Sequence, residues 1–577
     1  MTSLEATAPG PWTRLAPIAG WLPAYRREWL GTDLLAGLAV WAVMVPEGMA
    51  YAGIVGVPAI MGLYTLVPPL IAYTLFGTSR RLVVGPDTAT GVISALTVGA
   101  LAARGSADFS ALTSTLAVLI GALFFAFGAL RMGWVASFIA TPVMRGFIEG
   151  LVCVTIVGQL PKLVGLEGGG HNVFAKLWHL AETLPRAPAS AVAMGLASLA
   201  AMLALRRFAP RWPAALIVAA AATGVIAALG GHPSGVDLVG ALPSGLPHVT
   251  PPRLDPALLV ALAPGALSIV LVGYAEALGA AQAATAGEEV EPNQELVAHG
   301  FANALSGLFG GFLVVGSLSK TSVAMGAGAK TQVANMVAAA LCFLTLVFLT
   351  PLFRDLPHPA LAAIVIAAML HLSKPSYLGR LARHAPWEFG VAVLVIAGEL
   401  ALGVLPGIAL GILVSLLLLI YRASHPNGAV LGKLPGEQAY RDITLHPEAR
   451  TYPGLLIWNP AGDLFFASFG KFERDLRAAL ARSSPPVRRV LIDASAITFV
   501  DASAREGLLA LIGALKAQGV TFGFARLRDP VRAYLARAGL EDALGSDVFY
   551  DRITQGVDAY LLARRGDPGP RNRKPRS

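Results

Sequence analysis

Stretches without a single charged residue recur as far as Tyr421: Ala111 to Leu130, Pro213 to Gly231, Thr331 to Phe353 and Ala401 to Tyr421. Each is long enough to cross the ~30 Å hydrocarbon layer of a bilayer, which takes roughly 20 apolar residues in a helix. Lipid offers no water to pair with backbone groups, so spans of this kind must be helical. With 55% hydrophobic and only 14% charged residues among 577, the chain as a whole is excluded from the soluble classes.

Splitting the longer apolar stretches at Pro and Gly gives roughly fourteen membrane helices between Asp33 and Tyr421. Arg26/Arg27, Arg80/Arg81, Arg131/Arg145, Arg206/Arg207/Arg211, Lys374/Arg380/Arg383 and Arg422 then fall on one side. The positive-inside rule makes that side, with the N-terminus and everything after Tyr421, cytosolic. The net charge of +9 therefore reports topology, and nucleic-acid binding is not expected. Glu5, Arg14, Arg26, Arg27 and Glu28 precede the first span, which argues against a removable signal peptide. Cys153 and Cys342 both lie in apolar segments, so neither a disulfide nor a metal site is expected, and no cofactor is implied.

Beyond Tyr421 the composition becomes ordinary. Val487 to Ala496 reads as a buried strand and Asp501 to Gly519 as an amphipathic helix with Asp501 at its N-cap. Thr521 to Leu527 and Asp529 to Gly539 repeat the pair, which makes a small α/β domain. The expected organisation is a cytosolic N-terminal segment over 1–30, a membrane domain over 31–421, a linker over 422–452, the α/β domain over 453–562 and a basic disordered tail over 563–577.

Two segments interrupt the apolar pattern in matching ways: LVVGPDTAT (Leu82 to Thr90) and LVVGSLSKT (Leu313 to Thr321), one in each half. Corresponding interruptions in two halves are the best sequence pointer to a transporter binding site. Leu-Val-Val reads as a short strand, Gly85 and Gly316 as turn positions, and Pro86 and Ser317 as helix starts. Each repeat then becomes a strand followed by a half-helix beginning near mid-membrane.

A helix N-terminus carries unpaired N–H groups and about half a positive charge, so two facing ends form an anion cradle. Thr88 and Thr90 on one side, and Ser317 and Ser319 on the other, add hydroxyl donors. Lys320 at the start of the second half-helix is a cation in an apolar region, a functional candidate on energetic grounds alone. Asp87, in the first turn of the other half-helix, either caps it or pairs with Lys320 when no substrate is bound.

Glu47 follows Pro46 in the first span, with Tyr51 one turn later on the same face. Glu276 sits in the middle of Leu267 to Ala284. Desolvation opposes the charge of a carboxylate in such a place, which suits Glu47 and Glu276 to take up and release a proton. Sodium at Glu276 would need oxygen donors that Ala280, one turn on, does not supply.

The sequence resembles the sulfate permease (SulP) family over nearly its whole length. The resemblance rests on PEGMAYAGIVGVP (Pro46 to Pro58), Gly62 to Thr90, PVMRGFIEG (Pro142 to Gly150), YAEALG (Tyr274 to Gly279), NQELVAHGFANALSGLFGGF (Asn293 to Phe312) and SLSKTSV (Ser317 to Val323). It implies a membrane domain of fourteen segments in two inverted repeats of seven, followed by a cytosolic STAS domain matched by Ile492 to Ala504. It also implies an anion site from Glu47 and Tyr51 of segment one, Ala89 and Thr90 of segment three, and Leu318 and Ser319 of segment ten, with Glu276 at the acidic position of segment eight linked to cation coupling. Lys320 stands where many members carry Arg, and Glu47 where many carry Gln.

The expected function is secondary active transport of a small anion of the sulfate, bicarbonate or dicarboxylate class by alternating access. Proton-coupled symport in the cell (inner) membrane is the favoured form, and the resemblance implies a homodimer. An exchanger, a channel, or a sensor signalling through the STAS domain are the alternatives. No P-loop, catalytic triad or redox motif points to an enzyme.

Overall fold

The computed structural model describes residues 16–134, 141–170, 172–209, 212–230, 235–285, 289–373, 375–537, 539–540, 544 and 548–564. It divides into two compact units, Met1–Ser415 and Leu416–Ser577.

The first unit is helical. Its first seven segments are α1 (Leu30–Val55), the broken pair α2 (Ala59–Tyr64) and α3 (Val67–Phe76), α4 (Thr88–Gly99), α5 (Ala107–Ala129), α6 (Thr141–Leu163), α8 (Ala189–Phe208) and α9 (Ala214–Ala228). An amphipathic helix, α7 (Val173–Thr183), precedes α8. The second seven are α10 (Pro256–Ala283), α11 (Pro292–Leu308), α12 (Leu318–Gly326), α13 (Val333–Leu344, continued irregularly to Phe353), α14 (His358–Leu372), α16 (Pro386–Leu402) and α17 (Val404–Ser424). Amphipathic α15 (Pro375–His384) precedes α16, in the place that α7 takes in the first half. Seven described helical segments are long and apolar enough to span, with the pair α2 and α3, and α13 with its continuation, each taken as one. The short ones include both half-helices.

The packing repeats with the sequence. The face of α1 on α13 has its counterpart in α10 on α5, that of α12 on α1 in α10 on α4, and that of α6 on α16 in α14 on α8. Local chemistry fixes the ends: Gly56, at φ 94°, closes α1 through its N–H to the Ala52 carbonyl, and Ser106 caps α5 by accepting from the Phe109 N–H at 3.0 Å.

Two short strands meet at the centre. β1 (Val84–Gly85) pairs antiparallel with β2 (Val315–Gly316), Val84 opposite Gly316 and Gly85 opposite Val315. The LVVG repeats are thus partners of one another. Neither glycine has a positive φ, so they are not turn residues as the sequence suggested. They are there for close approach. A Cβ on Gly316 would sit 2.8 Å from Leu82 Cδ2 and 3.0 Å from Ala277 Cα, and one on Gly85 would sit 2.7 Å from Met44 Cε.

The second unit is an α/β domain with a six-stranded sheet. The order is β4 (Tyr440–Asp442), β3 (Ala429–Lys433), β5 (Leu455–Asn459), β6 (Arg489–Asp493), β7 (Thr521–Ala525), β8 (Phe549–Tyr550). β5 through β8 run parallel, and β3 and β4 are antiparallel. Leu456, Trp458, Val490, Ile492, Phe522 and Phe524 pack on one face against α18 (Phe469–Arg482), α19 (Ala502–Ala517) and α20 (Asp529–Arg537). Leu455, Ile457 and Leu491 pack on the other face against Val557 and Tyr560 of α21 (Ile553–Arg564). Asp501 caps α19 through the Ala504 N–H at 2.8 Å. The strand expected over Val487 to Ala496 is shorter, because Asp493 turns the chain into a 3₁₀ turn at Ala494–Ala496 by accepting from the Ser495 N–H.

Asp493 is buried at the end of β6 and accepts from Arg526 Nε at 2.9 Å and from Asn459 Nδ2 at 2.8 Å. Burial opposes its charge, but the donors of Arg526 and Asn459 outweigh that and hold the carboxyl below the usual carboxylate range. A depressed value in the fold stabilises above the ordinary aspartate range and is lost as pH falls through the folded value. Arg526→Ala strips Asp493 of its charge partner and is expected to cost about 2 kcal/mol, the partial exposure of the arginine keeping it below the fully buried range. Hydrogen exchange of the β6 and β7 amides at neutral pH checks this; unchanged rates in the full-length variant refute it.

Candidate functional site

The site is built where β1 and β2 cross. Gln332 Nε2 donates to the Ser79 and Leu82 carbonyls at 2.8 and 2.9 Å, while Asn335 Nδ2 donates to the Leu82 carbonyl at 2.8 Å. On the other side, Asn303 donates to the Val314 carbonyl and accepts from the Val314 N–H, both at 2.9 Å. Thr321 Oγ1 accepts from the Val83 N–H at 3.0 Å, and the Ser317 N–H reaches the Val83 carbonyl at 2.9 Å. Glu295 gathers the Tyr73 hydroxyl, the Thr78 N–H and the Thr78 hydroxyl. Strands of two residues cannot hold themselves, and these side chains fix them.

Past the crossing each strand runs into its half-helix. Asp87 is the N-cap of α4, taking the Ala89 and Thr90 N–H groups at 2.8 and 3.3 Å on one carboxylate oxygen. Pro86 therefore lies one residue outside the helix start expected for it. Ser317 caps α12 through the Lys320 N–H at 3.4 Å.

Lys320 is buried in the first turn of α12, its side chain 2% exposed. Its ammonium donates to the Pro86 carbonyl at 2.9 Å and lies 3.3 Å from Glu47 Oε2 and 5.0 Å from the centre of the Tyr51 ring. It is the carboxylate of α1, not Asp87, that pairs with the lysine. Asp87 is committed to its own helix end, so of its two readings capping is the one the geometry bears. Glu47 Oε2 makes no hydrogen bond, so the pair is held by charge alone and has room for another donor. Pro46 places a residue without an N–H one position before Glu47 inside α1.

The two helix ends are not equivalent. Asp87 fills two of the α4 donors and cancels its positive end, while Thr88, Ala89 and Thr90 are buried and the Tyr51 hydroxyl reaches Thr88. At α12, Leu318 is 49% exposed, Ser319 is exposed too, and among the described residues their N–H groups have no partner. The two halves of the cradle thus differ: the α12 end carries exposed N–H groups and Lys320, whereas at the α4 end Asp87 takes two of the N–H groups. Glu276, on α10, is half-buried and lies within electrostatic reach of Asp87. One turn before it, Gly273 is pressed against Val315 and Thr90, which brings α10 against both strand and half-helix.

The structure thus brings together Glu47, Tyr51, Thr88, Lys320 and the cap Ser317, with Ala89, Thr90, Leu318, Ser319 and Glu276 around them. Gln332, Asn335, Asn303 and Thr321 were not singled out from the sequence. Their signal was there: amides and a hydroxyl inside otherwise apolar segments, Glu295, His299 and Asn303 recurring at one-turn spacing.

The model of the sulfate permease family matches residues 30–395, and that of the STAS domain residues 446–555. A probable sulfate transporter of Mycobacterium tuberculosis is 34% identical over 550 residues, covering 94% of this chain and 98% of its own length. The chloroplastic sulfate transporter 4.1 of Arabidopsis thaliana is 30% identical over 575 residues, covering 95% of this chain and 82% of the relative. The fold matches the murine solute carrier 26 family member A9, an anion transporter solved in its inward-facing state, with a TM-score of 0.87 at 22% identity over 98% of this chain and 96% of the other. The chain belongs to the sulfate permease family of membrane anion transporters and carries a STAS domain at its C-terminal end.

Proposed function

We propose that the protein is a proton-coupled symporter of a small oxyanion, sulfate first among the candidates, with its site at the open end of α12. The observation that carries this reading is the buried Lys320–Glu47 pair at 3.3 Å. An anion approaching Lys320 meets the Glu47 carboxylate beside it, and two anions around one cation in a site of low dielectric is unfavourable. A proton on Glu47 removes that conflict. The ammonium is then free to face the anion, with the Leu318 and Ser319 N–H groups and the Ser319 hydroxyl as further donors. Empty, the site is the neutral pair; loaded, it holds anion and proton. For a singly charged anion the empty and loaded sites then carry the same charge, while a divalent anion such as sulfate needs a second proton to reach that balance. Asp87 raises the cost of an anion at the α4 end and so favours the α12 end. Glu276, near Asp87, is the second proton-bearing candidate.

Transport is assigned to the membrane domain, in a homodimer of the cell membrane with both termini cytosolic. The even number of segments and the clustering of Lys and Arg support the orientation.

The test is uptake of labelled sulfate into proteoliposomes against an imposed pH gradient. Wild-type protein is expected to accumulate sulfate when the outside is acid. Glu47→Gln is expected to retain binding while losing the dependence on the gradient, and Glu276→Gln separates the second site in the same assay. Failure of the wild-type protein to accumulate sulfate, bicarbonate or fumarate under any gradient overturns the transport reading, and a gradient response unchanged in both variants overturns the coupling.

A further inference from the structure

At the C-terminal end of α1, basic side chains from four other elements converge. Lys162, at the end of α6, donates from its ammonium to the Gly53 carbonyl at 2.9 Å. Arg104, in the connection before α5, lies along the same terminal turn, its Cγ and Cδ at 3.4 Å from where a Cβ of Gly56 would stand. Lys162 is within electrostatic reach of Arg104, and so is Lys176 of α7. Burial, and then the Arg104 charge beside it, hold the Lys176 ammonium below its usual value. His358, at the start of α14, lies within electrostatic reach of both Lys162 and Asp237. Among the described residues no carboxylate forms an ion pair with Arg104, Lys162 or Lys176. Three cations held together without a paired carboxylate repel one another, a repulsion that a bound anion relieves.

The place of the cluster gives it a use. Gly53 follows Tyr51 by two residues and Glu47 by six, and Tyr51 lies over Lys320, so at ~1.5 Å per residue the cluster begins about 3 Å along α1 from the first and about 9 Å from the second. In the orientation proposed above, α1 ends on the membrane face opposite the one from which the chain leaves α17. Arg104, the end of α6, α7 and the start of α14 all fall on that same face by the order of the segments.

We propose that Arg104, Lys162 and Lys176 form a capture site for an inorganic oxyanion at the outer mouth of the pathway, delivering it to Lys320 along the last turn of α1. The inference rests on the transport reading for its direction. Lys162 holds the Gly53 carbonyl as Lys320 holds that of Pro86. A cluster of this kind acts on encounter and affinity, so its contribution is screened by salt.

The experiment uses the full-length protein and sulfate as the probe. In intact cells, neutralising Arg104, Lys162 and Lys176 to Gln is expected to raise the KM for uptake by about fivefold per charge, with Vmax retained. Raising ionic strength with choline gluconate is expected to raise the wild-type KM and leave that of the triple variant flat, and Lys162→Arg is expected to keep the wild-type KM. A binding readout independent of transport is protection: sulfate is expected to slow modification of Arg104 by phenylglyoxal in purified wild-type protein. Uptake with an unchanged KM, an unchanged salt response and no protection overturns this inference and leaves the transport reading standing. Protection without uptake overturns the transport reading and leaves the site. A fall in Vmax at constant KM marks a structural role and also overturns the inference.

Discussion

Lys320→Met is expected to abolish sulfate uptake, with a loss of at least about 100-fold, and to destabilise the protein at the same time. The two effects have different origins and a second variant separates them. Removing the ammonium leaves the Glu47 carboxylate 5% exposed, with an oxygen that has no hydrogen bond. Breaking a buried pair from one side costs about 3–5 kcal/mol because the remaining charge has no compensation. In the double variant Glu47→Gln/Lys320→Met no charge remains, and replacing a buried pair by neutral groups is often close to neutral in stability. The double variant is therefore expected to recover most of the thermal stability in detergent and none of the uptake. Lys320→Arg keeps the charge but exchanges a compact ammonium for a planar fork, which must fit beside Pro86 and Tyr51; reduced rather than abolished uptake is expected. Uptake by the double variant at more than about a tenth of the wild-type rate would show that the cation is structural, and would remove Lys320 from the site.

What the sequence carried, and what it did not, follows from the range of the interactions. The spans, the half-helices and the caps are local: a charge-free stretch, a helix start at Ser317 or Asp501, an interruption at Val84 or Val315. Periodicity and residue type report them directly. The pairing of β1 with β2 is not local, since Val84 and Gly316 are brought together by helices that contribute nothing to either strand's pattern. The repeat was visible, but that each copy is the other's strand partner was not. The choice of Glu47 over Asp87 as the partner of Lys320 is of the same kind. The sequence left Asp87 open as either a cap or a partner of Lys320, and only the geometry, which places its carboxylate on the Ala89 and Thr90 N–H groups, favours the cap. Gly85 and Gly316 were legible as special positions but not for the right reason. A glycine needed for close approach and one needed for a turn look the same in a sequence.

Gly316→Ala carries the second large effect, because the crossing has no slack. Its Cβ would stand 2.8 Å from Leu82 Cδ2 and 3.0 Å from both Ala277 Cα and Ala277 Cβ. The Ala277 side cannot yield without moving α10 itself. Leu82 cannot yield either: it is fully buried, and its carbonyl is held by Gln332 and Asn335 together. Overpacking of this sort costs about 1–3 kcal/mol, and here the strain falls on the two strands that set the distance between the ends of α4 and α12. Uptake is expected to fall at least about tenfold, since a displacement of about 1 Å at a binding constellation is enough for losses of that order. Gly279→Ala is the control on α10, the helix that Gly316 packs against, with no atom within 4 Å of the added carbon. There the substitution is expected to leave uptake unchanged and to raise thermal stability slightly, as Gly to Ala does in a helix interior. Equal behaviour of the two variants in uptake and in melting temperature would mean that the strands tolerate displacement, and that the separation of Lys320 from Pro86 and Glu47 is not set by the crossing.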